Sequence, residues 1–213
     1  MKLYANEVSS ATSRVRIALA LKGLAPEVLP VSIFGPDAEN RQAGYLDVNP
    51  QGLVPALLTE NGTLITQSLS IVEYLDERYP HPALLPANLE ARAFSRSVAL
   101  AIAAEIHALV PPRVAARLGT LGLDAPAIGE WNRHWIREGL GAVEALLRTR
   151  HARQPGRFVA GDTPTVGDIF LFPQAINTER AGLPLDQWPH VAAIVERLRE
   201  VPAFRANAPA PRK

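Results

Sequence analysis

Apolar and polar positions along this chain follow strand alternation in some stretches and helical spacing in others. Lys2-Leu3-Tyr4 reads as a short strand. From Val15, apolar residues recur at helical spacing, Val15, Ala18 and Leu19 on one face and Ile17 and Leu21 on another. A helix apolar on two sides packs between two layers, and Gly23 suits its C-terminal stop. Ala25 to Val31 reads as a strand whose Pro30 places it at a sheet edge. A short helix spans about 41–46. Ala56-Leu57-Leu58-Thr59 and Thr63-Leu64-Ile65 flank Asn61-Gly62, a strong hairpin signal. Gln67 to Tyr79 follows as a helix burying Ile71, Val72 and Leu75, with Ser68 as its N-cap. The order strand, helix, strand, helix, strand, strand, helix predicts a small mixed sheet.

Past Pro80, Pro82 and Pro86 the pattern predicts helices alone. Asn88 caps a long helix to about Gly119, interrupted at Pro111-Pro112. Asp124 caps another running to about Thr149, with Trp131, Trp135, Leu140, Val143 and Leu147 on its apolar face. Thr165 and Asp168 form a capping box before a strongly apolar helix, Ile169 to Ala181. Trp188 to Val201 forms the last helix, and Ala206 to Lys213 reads as a loose tail. The division is a domain over 1–80, a linker over 81–88 and a helical domain over 89–213.

Composition narrows the chemistry. Of 213 residues, 47% are hydrophobic, enough for a sizeable core, and a net charge of +1 gives no support for nucleic-acid binding. No apolar run has the length of a membrane span, and the start moves straight into a strand pattern with no signal peptide, so a cytoplasmic setting is expected. The absence of cysteine excludes disulfides, thiolate metal ligands and a cysteine nucleophile. Any sulfur chemistry must use a bound molecule.

The first helix begins at Val8-Ser9-Ser10-Ala11-Thr12, where free N–H groups, hydroxyls and the positive end of the helix dipole hold an anion well. The plainer alternative is that these hydroxyls only cap a helix. A second polar pair, Gln67-Ser68, begins another helix, and between them lies Leu53-Val54-Pro55, whose backbone can pair with an extended peptide. A ligand with an anionic group at each helix start and a peptide between them fits the set.

These stretches, together with Arg14-Val15-Arg16-Ile17-Ala18-Leu19, Leu69 to Leu75, Gly161 to Asp168, Pro173-Gln174-Ala175 and Glu179-Arg180, make the chain resemble the cytosolic glutathione transferases, and most closely their zeta class. The resemblance covers nearly the whole chain. It implies an α+β, thioredoxin-like N-terminal domain followed by an all-α helical domain, a homodimer, and glutathione as cofactor. It puts Ser9 and Ser10 near the glutathione sulfur, pairs Val54, before a cis Pro55, with the cysteinyl backbone, and gives the γ-glutamyl end to Gln67 and Ser68. It assigns His107, Arg113 and Arg180 to a substrate pocket and points to cis-trans isomerisation of a maleyl keto-acid. The chain departs from the family pattern at Ala11, where many zeta enzymes have cysteine, at Val8, where a basic residue is common, and at Val110-Pro111, where a polar pair is expected. Conjugation or dehalogenation of small electrophiles, and a non-catalytic glutathione-binding or interaction module, are the alternatives.

Overall fold

In the computed structural model, which describes residues 1–35 and 37–211, the chain forms two compact units, each with its own core. They divide between Leu84 and Leu85, inside the stretch read as a linker. Residues 206–211, assigned from sequence to the helical domain, group with the first unit.

The first unit carries four strands, β1 (Lys2–Ala5), β2 (Glu27–Pro30), β3 (Ala56–Leu58) and β4 (Leu64–Thr66), in the order β2-β1-β3-β4. β1 runs parallel to β2 and antiparallel to β3, and β3 is antiparallel to β4. β2 lies at an edge, where Pro30 leaves no ladder bond unmade. The tight connection between β3 and β4 uses Gly62 at φ 79°, as Asn-Gly predicts. Three helices complete the unit: α1 (Ser10–Leu21), the single turn α2 (Ala43–Leu46), and α3 (Ser68–Arg78), which packs on α1. Val15, Ile17, Ile71, Val72 and Leu75 are buried completely. Lys22, at the end of α1, donates to Asp76 at 2.6 Å and to the carbonyls of Tyr79 and Pro82, fastening α1 to the end of α3.

The second unit has six helices: α4 (Leu89–Leu100), α5 (Pro112–Thr120), α6 (Ala125–Arg153), α7 (Val166–Arg180), α8 (Pro189–Arg199) and the single turn α9 (Pro202–Arg205). Asn88 and Asp124 cap α4 and α6 through Ala91 N–H and Ala127 N–H. α7 is the central helix, with eleven of its residues buried.

Two details differ from the sequence pattern. The long helix gives way before Pro111, because Ala101–Ile106 is π-helical. Ile106 there nests against Gly139 of α6, where a Cβ would stand 2.2 Å from Ile106 Cγ1. Trp131 and Trp135 are only half-buried, and Ile136 takes the core position beside Leu140. Trp131 has an indole N–H to satisfy, and it donates to Leu109 O at 2.9 Å, just past the π-helical segment.

Candidate active site

Strand direction gathers the candidate residues of the first unit at one end of its sheet. β1 ends there and leads into the turn bearing Ser9. β3, running the opposite way, starts there directly after Val54-Pro55. β4, reversed again, ends there and leads into Gln67-Ser68. The register is explicit: Tyr4 opposes Ala56, and Ala56 opposes Thr66. Continuing it places Val54 beside the start of the β1–α1 turn.

Ser9 is the N-cap of α1, and its Oγ accepts Thr12 N–H at 3.2 Å. Its hydroxyl hydrogen remains to donate outward. Ser10 is buried, at 2% exposure, so Ser9 is the better placed of the pair for a ligand. Asn6 shapes the turn: its side chain accepts Val8 N–H and donates to Val31 O, while its carbonyl accepts Ser9 N–H. From the far end of the unit, Ser13 Oγ donates to Asn207 O at 2.5 Å and Ala210 N–H donates to Glu7 O at 2.8 Å. The tail read as loose is therefore bonded to both sides of the Ser9 turn. A cavity of about 1000 Å³ opens beside that turn, with Val8, Thr12, Arg16, Phe34 and Pro211 in its walls.

The Val54 loop is held from beneath. Leu53 O accepts both Tyr45 Oη–H and Asn49 Nδ2–H at 2.7 Å, and Asn40 Nδ2–H reaches Gly52 O at the same distance. Gly52 has φ 61°, and a Cβ on it would lie 2.8 Å from Asn40 O, so only glycine fits. Burial pushes the Tyr45 phenol up to about 12, which keeps it a donor at any working pH. The Val54-Pro55 peptide bond is cis. Val54 is buried, yet among the described residues its main-chain N–H and C=O meet no protein partner. Buried backbone groups are nearly always paired, so this pair is free for an extended ligand backbone.

At α3 the arrangement departs from the sequence expectation. Gln67, not Ser68, is the N-cap, and its side chain makes no capping bond. It donates instead to Gln51 Oε1 at 3.0 Å. Gln67 has φ 67° and ψ 123°, a backbone strain of about 1–3 kcal/mol that clusters at functional sites. The N–H groups of Ser68, Leu69 and Ser70 therefore point out of α3 with no protein acceptor among the described residues, an arrangement suited to a carboxylate. Ser68 is buried and accepts Arg14 Nη1–H at 3.3 Å, which ties the starts of α1 and α3 together. Complete burial brings the Arg14 guanidinium down to about 9, still charged at neutral pH.

The substrate candidates lie in the second unit. His107 directly follows the π-helical segment, Arg113 is in the first turn of α5, and Arg180 is the last residue of α7. Arg113 and Arg180 are exposed and His107 is half-buried. Among the described residues no cluster of side chains suits a metal ion, and no helix is long and apolar enough to cross a membrane.

Against known proteins, residues 8–78 match the glutathione S-transferase N-terminal domain model and residues 129–197 the C-terminal domain model. The chain is 42% identical to maleylacetoacetate isomerase of Pseudomonas aeruginosa, over 99% of this chain and 96% of that one. A holo structure of maleyl pyruvate isomerase, a bacterial zeta-class glutathione S-transferase, superposes with a TM-score of 0.91 at 39% identity, covering 100% of this chain and 98% of the other. Maleylacetoacetate isomerase from Methylobacterium extorquens AM1, with bound malonate and glutathione, gives a TM-score of 0.89 at 35% identity, over 99% and 98% of the two chains.

Proposed function

Because this chain belongs to the glutathione S-transferase family, and within it groups with the zeta-class maleylacetoacetate and maleylpyruvate isomerases, we propose that it is a glutathione-dependent isomerase of a maleyl keto-acid. The observation that carries the proposal is the presence of three unspent hydrogen-bonding sets at one end of the sheet: the Ser9 hydroxyl, the Val54 N–H and C=O, and the bare N–H groups at the start of α3. Bound glutathione supplies a thiolate nucleophile whose reversible addition turns the maleyl double bond into a single bond free to rotate, and it leaves unchanged. Ser9 donates its hydroxyl to the sulfur, and the α1 dipole favours negative charge at that point. Val54 aligns the tripeptide backbone. The three N–H groups of α3 and the Ser68 hydroxyl hold the γ-glutamyl carboxylate, and Gln67 takes its amino group. His107, Arg113 and Arg180 serve the carboxylates of the keto-acid. A homodimeric assembly and a cytoplasmic setting belong to the same reading.

The neutral Val8 beside Ser9, where many isomerases carry a cation, favours a second reading, conjugation of a neutral electrophile by the same thiolate. One assay separates the two. Purified protein with glutathione is offered maleylacetoacetate, maleylpyruvate and an aryl halide side by side. Isomerisation of a maleyl acid without net glutathione consumption supports the first reading; stoichiometric loss of thiol on the halide alone supports the second. Arg180→Ala gives a finer check. It is expected to raise KM for the maleyl acid about 10- to 100-fold, the worth of one charge-assisted hydrogen bond, while leaving a neutral electrophile nearly unaffected. Equal changes for both substrates remove Arg180 from substrate recognition.

A further inference from the structure

We propose that the helical unit carries a second ligand site, separate from the thiol chemistry, in which His151, His190 and Arg197 bind a phosphoryl dianion. The three side chains line one cavity of about 290 Å³ where the end of α6 meets the start of α8, with Pro189, Ala193 and Ile194 forming its apolar wall. Its size suits a phosphate group with a small organic substituent.

The chain concentrates positive charge there. Between residues 148 and 157 stand Arg148, Arg150, His151, Arg153 and Arg157, with no aspartate or glutamate among them. Among the described residues none of these arginines, nor Arg197, is in an ion pair. The nearby carboxylates are already committed. Glu144 of α6 accepts His190 N–H, Val191 N–H and His190 Nδ1–H, the last at 2.6 Å, so it caps α8. Asp162 accepts Arg157 N–H at 3.2 Å. The start of α8 and the His190 ring thus share the Glu144 carboxylate, while Arg197 has no carboxylate partner among the described residues.

The cavity groups are also fixed in place. His151 Nε2 faces Phe158 O at 3.0 Å, and an acceptor there requires an N–H on that nitrogen. His190 Nδ1 is likewise the donor toward Glu144. Both rings line the cavity, and the second nitrogen of each, His151 Nδ1 and His190 Nε2, has no protein partner among the described residues. Arg197 Nη1 donates to Arg157 O at 2.9 Å, which leaves the rest of its fork free. The two imidazole rings, 6.1 Å between centroids, stand close enough to share one tetrahedral anion. One guanidinium fork and two imidazoles around one small cleft offer more donors than a single carboxylate can accept and match the oxygen count of a phosphoryl group.

The test follows the imidazole signals of the full-length protein by NMR, at constant pH and ionic strength, with inorganic phosphate, phenyl phosphate, malonate or sodium chloride added. His81 and His134 are internal references. Saturable shifts of His151 and His190 with a phosphate probe, absent with chloride, are expected. Arg197→Gln should weaken the binding about tenfold or more, and His151→Gln, which keeps a donor for Phe158 O, several-fold. Saturation by phenyl phosphate at far lower concentration than inorganic phosphate identifies an ester as the ligand; equal affinity identifies the free ion. Shifts that chloride reproduces, malonate binding without phosphate binding, or an Arg197→Gln protein of unchanged affinity overturns the proposal.

Discussion

A Ser9→Ala, Ser10→Ala double variant is expected to lose about two orders of magnitude or more in kcat/KM with glutathione while remaining folded. A free thiol has a pKa of about 8.5, and lowering it by about two units takes about 2.7 kcal/mol. A helix N-terminus contributes about 0.3–1 kcal/mol, or about 2 where partly buried. A hydroxyl donating to a charged group adds about 1.5–3 kcal/mol. Removing the hydroxyl removes the larger share, and the thiolate fraction at neutral pH falls accordingly. The single variants separate the two serines: Ser9 is half-buried with its hydroxyl hydrogen free to turn outward, whereas Ser10 is enclosed, so Ser9→Ala should carry most of the loss. Ser9 also caps α1, and alanine there costs about 1 kcal/mol of stability. Ser9→Gly controls for this, because glycine caps within a few tenths of a kcal/mol and brings no hydroxyl. Ultraviolet absorbance of the thiolate in the glutathione complex, read against pH, should show the sulfur titrating higher in Ser9→Gly. Full turnover in Ser9→Gly would refute the thiolate role.

The largest stability effect is expected at Asp168. Its side chain is fully buried and accepts three hydrogen bonds, from Val159 N–H at 2.9 Å and from Thr165 N–H and Thr165 Oγ1–H at 2.8 Å each. Ser95 joins the network, donating to Thr165 Oγ1 and accepting Gly167 N–H, so the loop before α7, the start of α7 and the middle of α4 share one polar cluster. Asp168→Ala leaves these donors buried without an acceptor, at about 1–3 kcal/mol each where no water replaces it, for an expected loss of about 3–5 kcal/mol. Asp168→Asn should fail in part for a sharper reason: three donors converge on two oxygens, and an amide turns its own NH₂ toward one of them. Burial raises the Asp168 carboxyl from its usual 3.8 to about 6. The folded state then binds the proton more readily than the unfolded chain between about pH 4 and 6. Stability contributed by this residue accordingly rises as pH falls through that window, by up to roughly 3 kcal/mol. Denaturant unfolding of the parent and of the non-titrating Asp168→Asn at pH 7.5 and pH 4.5 measures this; a gap between them that is flat or widens toward high pH would show the three hydrogen bonds outweighing burial.

Features set by neighbours in sequence were legible before folding. The hydroxyl-rich turn before α1, the Asn61-Gly62 hairpin, the Pro30 edge strand and the Thr165–Asp168 box are each short-range patterns with one local solution. Features set by distant partners were not. A serine before an apolar run looks the same whether it caps the helix or, as Ser68 does, receives a guanidinium 54 residues away. Nothing local marks Gln67 for a positive φ, which the meeting of β4 and α3 imposes. The two donors on Leu53 O come from Tyr45 and Asn49, whose side chains turn inward only once the loop closes. The π-helical turn before His107 answers to Gly139, 33 positions on, and no helical period reports it.

The bonds from Asn207 to Ser13 and from Ala210 to Glu7 carry a consequence for biosynthesis. The Ser9 turn is pinned by a segment that is made much later, Asn207 lying 194 residues beyond Ser13. A nascent chain can therefore pair β1 to β4 before residues 207–210 exist, while the Ser9 turn takes its final bonds only after the helical unit between them has been made.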